Sequence, residues 1–102
     1  MPMLIIAGTV SMDPEKVESA REAAVEMMRE TRKEPGNIDY AFSVDFADPS
    51  LIRIYEKWES QAALDAHFKV PHMAKFQKAL GEIGVRDLKV EKYEIASVGP
   101  VF

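Results

Sequence analysis

The sequence predicts an α+β fold with helices laid on one face of a four-stranded antiparallel sheet. Three observations carry that prediction. Met3–Val10 is a near-continuous apolar run of strand length. Residues 38–46 and 51–59 alternate apolar and polar positions on either side of a turn. Two further stretches repeat apolar residues at helical spacing.

Each element has its own signal. The run from Met3 to Val10 suits a central strand covered on both faces. Asp13-Pro14 reads as a helix cap followed by a first-turn proline, with Glu15 where the helix dipole favours an acid. Val17, Ala20, Ala24, Met27, Met28 and Thr31 form one stripe, while Glu18, Glu22, Glu26, Arg29 and Lys33 face water. Glu34-Pro35-Gly36-Asn37 stops this helix. Ile38, Tyr40, Phe42, Val44 and Phe46 then alternate with polar or small residues as a second strand. Ala47-Asp48-Pro49-Ser50 turns the chain, and Leu51–Glu59 returns with Ile52, Ile54, Glu56 and Trp58 on one face. Leu51, Arg53, Tyr55 and Lys57 take the other face.

Ser60 caps a second helical region that Pro71 divides into segments 60–69 and 71–83. Met73, Phe76, Leu80 and Ile83 give the second segment its stripe. A last strand runs from Arg86 to Val98. Leu88 and Val90 share one phase and Tyr93 and Ile95 the other, which suggests a bulge near Glu91-Lys92. The order β-α-β-β-α-β is the ferredoxin-like split unit, with strands one and three central. Its helices cover one sheet face only. The other face is expected to carry large apolar groups and to pair with a second copy across a two-fold axis.

Composition narrows the function. The 102 residues are expected to form one domain, 1–102. An apolar share of 47% with 29% charged residues belongs to a folded chain rather than a disordered one. The net charge of −4, with basic and acidic residues interleaved, argues against a nucleic-acid partner. Without cysteine there is no disulfide, thiolate nucleophile or cysteine metal site. No apolar run approaches the roughly 20 residues of a membrane span. Met1-Pro2 leads into the first strand without a basic leader, so no signal peptide and a cytoplasmic location are expected.

Several stretches resemble one known family. Glu34-Pro35-Gly36-Asn37-Ile38-Asp39-Tyr40 resembles the second-strand entry of the antibiotic biosynthesis monooxygenase family. Tyr55-Glu56-Lys57-Trp58-Glu59-Ser60, followed by Ala63-Leu64-Asp65-Ala66-His67-Phe68, resembles its core. Pro71-His72-Met73 resembles a motif of the quinol-monooxygenase-like members. The likeness implies a homodimeric α+β barrel with a pocket between sheet and helices in each subunit. It also implies oxygenation of quinols or polycyclic phenols by molecular oxygen with no cofactor. The chain departs from the heme-degrading relatives: Gln77 stands where they carry a histidine, and Ile5–Val10 offers no asparagine.

Oxygenation without a cofactor needs a base, groups that hold the substrate anion, and a dry pocket. His67 and His72 titrate nearest neutrality and are the candidate bases; the plainer alternative makes each a structural histidine at the Pro71 break. Glu56, apolar-faced on a central strand, either orients a histidine, acts as base, or holds backbone amides at that break. Trp58 either flanks an aromatic substrate, its N–H on a quinol oxygen, or is simply core. Tyr40 can donate to a substrate anion or pack structurally, and Asn37 either lines the pocket or serves the turn. No metal site is expected, because His67 and His72 straddle Pro71 and share no helix face. Two other functions fit the same fold: isomerisation of a small carbonyl compound, and non-catalytic binding of an aromatic ligand. A cavity rich in Arg and Lys would favour the isomerase, since a phosphate needs cations.

Overall fold

The computed structural model describes residues 2–102. It contains β1 (Leu4–Ser11), α1 (Pro14–Thr31), β2 (Asn37–Val44), β3 (Leu51–Trp58), α2 (Gln61–His67), α3 (Pro71–Ile83) and β4 (Asp87–Glu94). All strand pairs are antiparallel, in the order β2-β3-β1-β4, so strands one and three are central as expected. This is the ferredoxin-like βαββαβ arrangement, with the second helical position split in two. No helix among the described residues is long and apolar enough to cross a membrane.

Local chemistry sets the boundaries. Asp13 Oδ1 accepts the backbone N–H of Glu15 at 3.0 Å, and Pro14 opens α1 where a missing N–H costs nothing. Ser60 Oγ accepts the Ala63 N–H at 3.2 Å and caps α2. Pro71 then opens α3 after a Val70 in extended conformation, which forces the break between the two.

The core lies between the sheet and the helices, in two clusters. Leu4, Met27, Tyr40, Trp58 and Leu64 form one; Val10, Met12 and Ala20 form the other. β1 meets β3 in unbroken register, from Leu4 opposite Trp58 to Ser11 opposite Leu51. Alternation then sends Ile52, Ile54, Glu56 and Trp58 toward the helices, and Arg53, Tyr55 and Lys57 away from them.

Two expectations need correction. β4 carries no bulge at Glu91-Lys92: its pairing with β1 runs without a break from Leu4 opposite Glu94 to Ser11 opposite Asp87. The two phases of apolar residues reflect the two sheet faces, with Leu88 and Val90 toward the helix side and Tyr93 on the far side. The irregularity falls instead in β2, between Asn37 and Asp39. The far face is also less apolar than expected. Ile5, Ala7, Tyr55 and Tyr93 share it with Arg53, Lys57, Lys89 and Glu91.

Gly8 marks a close approach at the centre of the sheet. A Cβ there would fall on the Lys89 carbonyl and within 2.6 Å of the Val90 Cα, both backbone atoms. Gly8→Ala should therefore lower the urea midpoint by forcing β4 outward, a loss of about 1–3 kcal/mol. Gly81→Ala is the opposite case. It lies inside α3 with nothing within 4 Å of an added Cβ, so the same measurement should show a gain approaching about 1 kcal/mol.

Candidate functional site

Between the sheet and helices α1 and α3 lies a cavity of about 390 Å3. Its wall is mostly hydrocarbon, including Ile6, Ile54, Met28 and the stacked pair Phe42–Phe76, whose ring centroids are 5.4 Å apart. Two polar groups from the core enter that wall, Tyr40 from β2 and Glu56 from β3. They sit opposite one another in the β2–β3 register, which brings both to the same place on the helix side. Arg21 is the single Lys or Arg in the lining among the described residues.

Glu56 is 9% exposed, and a carboxylate in such a place needs a donor. The donor is its neighbour on the same strand face: Trp58 Nε1–H donates to Glu56 Oε1 at 2.9 Å. Burial pushes the Glu56 carboxyl up to about 7. The indole bond restrains that rise and the negative charge of Glu34 adds to it. Near neutral pH the group is thus divided between acid and carboxylate.

Trp58 is fully buried, its N–H committed to Glu56, and it does not reach the cavity. Of its two sequence readings, its position is that of a core residue. Glu56 in turn neither orients a histidine nor holds amides at the Pro71 break. A strand places residues two apart on one face, and that proximity decided the partner.

Tyr40 is buried, and its phenol is pushed well above the ordinary tyrosine range. Burial is the main cause, with the charges of Glu56 and Glu34 behind it. The Thr31 hydroxyl beside it acts weakly the other way, yet is itself buried without a hydrogen bond of good geometry. Tyr40 consequently faces the cavity as a neutral O–H donor. Asn37 stays outside. Its Nδ2 donates to the Asp39 carbonyl at 3.0 Å and spans the β2 irregularity, so it does not line the cavity.

His67 and His72 are likewise absent from the cavity lining. Both turn to Glu34, which the sequence places in a helix stop and at the head of the family-like stretch but not among the candidate site residues. Glu34 Oε2 accepts from His67 Nδ1 at 2.8 Å and from His72 Nε2 at 2.7 Å. Gly36 explains how Glu34 arrives there. Its φ of 85° closes the turn after α1, and a Cβ on it would stand 2.5 Å from that of Ala63, so the turn presses against α2. The Pro71 break folds α3 back and leaves the two imidazole centroids 6.3 Å apart. His67, 1% exposed, is also enclosed by Trp58 at 4.8 Å and Tyr40 at 5.6 Å. The expectation of no metal site rested on the missing helix face. The histidines share no helix face, but the chain break and Glu34 gather the three side chains with their ligating atoms within 4.8 Å.

Comparison with known proteins adds a context for this geometry. A family model described as "Antibiotic biosynthesis monooxygenase" matches residues 3–79. A solved structure from Deinococcus radiodurans, described as a "putative antibiotic biosynthesis monooxygenase", is 29% identical with a TM-score of 0.89. The match covers 97% of this chain and 98% of that one. A Synechocystis protein, "Uncharacterized protein sll1783", is 28% identical over 91% of this chain; the match spans 63% of that protein's length. The Bacillus subtilis "Putative monooxygenase YcnE" is 24% identical over 92% of this chain and 99% of its own.

The raised Glu56 group makes a stability prediction with a definite sign. The folded state holds its proton up to about pH 7, whereas an unfolded chain releases it near the ordinary 4.5. The contribution is full below pH 4.5 and is lost as pH rises through 7. Its size is bounded at roughly 3 kcal/mol by the shift in pKa. Urea unfolding between pH 4.5 and 7 should therefore show wild type losing stability relative to Glu56→Gln, which keeps an acceptor for Trp58. Parallel pH curves for the two proteins would refute the buried-acid assignment.

Proposed function

The chain belongs to the antibiotic biosynthesis monooxygenase family, and from that premise we propose that it oxygenates a flat, electron-rich substrate, a quinol or polycyclic phenol, with molecular oxygen. The observation that carries this reading is a largely apolar cavity with a carboxyl of pKa about 7 in its wall. The rings would lie against Phe42, Phe76 and Ile54, with a hydroxyl toward Glu56.

In this mechanism the Glu56 carboxylate takes the phenolic proton. Phenols titrate near 10, so the transfer runs uphill by about three units, or roughly 4 kcal/mol. A hydrogen bond from Tyr40 to the developing anion offsets part of that cost. The anion passes electrons to dioxygen, a carbon–oxygen bond forms, and the ring hydroperoxide then loses water. Glu56 returns its proton to the departing oxygen. One oxygen atom stays on the ring, the other leaves as water, and the substrate supplies every electron that dioxygen takes. No cofactor enters this scheme.

The nearly cation-free wall argues against the isomerase alternative, which asks for a phosphate-binding set. Pure binding of an aromatic ligand would appear as affinity without oxygen consumption. We also propose that two copies pair through the far face of the sheet, where Tyr55 and Tyr93 stand among charged residues that can form rim contacts. Proteins of this family are generally dimeric.

Oxygen uptake on a menadiol-type quinol tests the chemistry. The wild type should exceed the buffer blank, with a rate that rises through about pH 7 as Glu56 ionises. Glu56→Gln should lower kcat by about a hundredfold or more and flatten that profile. Uptake equal to the blank would remove the oxygenase reading, and an unimpaired Glu56→Gln would remove the base. His67→Ala and His72→Ala, run beside them, decide whether either histidine serves the reaction. Sedimentation at micromolar concentration should find a dimer that Tyr55→Glu dissociates; a monomeric wild type would refute the pairing.

A further inference from the structure

Three side chains meet outside the cavity, and the oxygenation scheme uses none of them. Glu34 comes from the turn after α1, His67 from the end of α2 and His72 from the first turn of α3. We propose that they form a binding site for one divalent first-row metal ion of the zinc kind.

Charge is the first argument. The Glu34 side chain is 10% exposed, and among the described residues its only ion-pair partners are the two histidines. A carboxylate so far from water needs positive charge close by. No lysine or arginine pairs with it among the described residues, and the lysine nearest in sequence, Lys33, is engaged with Glu30 at 3.0 Å. A divalent cation would supply the missing charge in place of two imidazole protons.

The donor set is the second argument. Two imidazole nitrogens and one carboxylate oxygen make a three-residue zinc set that leaves a position for water. Calcium asks for six or more oxygens, and magnesium for a mostly oxygen octahedron, so neither fits. The softer cysteine-based metals are excluded by composition, since the chain has no cysteine.

The geometry requires adjustment of the carboxylate and of one imidazole. The present separations from Glu34 Oε2, 2.8 and 2.7 Å, are hydrogen-bond distances. Ligand bonds of about 2.0–2.1 Å in a tetrahedron place donors about 3.3 Å apart, so the carboxylate must draw back by about half an ångström. The two imidazole nitrogens, within 4.8 Å of one another, must close toward the same spacing. His67 is fixed by the rings around it and forms the rigid wall. His72 has a side chain 19% exposed, stands at a helix start, and is free to adjust. Such an ion would clasp the turn after α1 to the α2–α3 break, without touching the cavity.

Calorimetric titration of the metal-stripped full chain with zinc chloride tests the proposal. Wild type should bind one equivalent with micromolar or tighter affinity, and its Tm should rise with added zinc. Loss of an outer-shell partner alone weakens metal sites about 10–100-fold, so Glu34→Gln and His72→Ala should each weaken binding at least tenfold. Glu34→Gln keeps the size and a hydrogen-bonding end of the native side chain, and serves as the folded control whose Tm rises less than that of wild type at equal zinc. Absence of saturable one-to-one binding would overturn the site. So would equal affinity in all three proteins, the mark of ions caught on surface carboxylates.

Discussion

The bond from the Trp58 indole to the Glu56 carboxyl is the interaction on which the interior of this protein turns. It lets a carboxyl reside within an apolar core while restraining the rise that burial imposes on its pKa. The same bond keeps the indole N–H satisfied, so the largest side chain of the core can be fully enclosed. Leu4 opposite Trp58 and Ile6 opposite Glu56 build the pair into the centre of the sheet. Tyr40 beside it stays protonated partly because of that carboxyl. Acid, donor and dry cavity wall thus follow from one strand register.

Much of this was readable in the sequence, for physical reasons that differ from place to place. The apolar β1, the alternating β2 and β3 and the stripes of α1 and α3 are local patterns, and local periodicity reports local structure. β4 was misjudged because its apolar residues serve two surfaces at once. Leu88 and Val90 line the helix side and Tyr93 the other, a division that resembles a register slip when the strand is read alone. Glu56 looked anomalous on its face, correctly. Its partner was also within reach of reasoning, since Trp58 is the next residue on that face.

Glu34 was out of reach. Its contacts to His67 and His72 cross more than thirty positions, and no periodicity encodes such a meeting. Its local setting, Glu34-Pro35-Gly36-Asn37, explains the end of a helix, and its place in the family-like stretch names no partner for it. Only Gly36 against Ala63 and the Pro71 break, acting together in three dimensions, assemble the cluster. The histidines stand out in the sequence as candidate bases or as structural residues at the Pro71 break, but nothing local names the carboxylate that joins them.

The cavity is enclosed unevenly. Aromatic and branched side chains confine it between sheet and helices, whereas toward β4 it is bordered by Leu88 and Val90, which remain accessible to solvent. An occupant would therefore be held between sheet and helices and least confined toward the outer strand. Fused planar skeletons of different extent could share the slot, their surplus rings protruding along the outer strand.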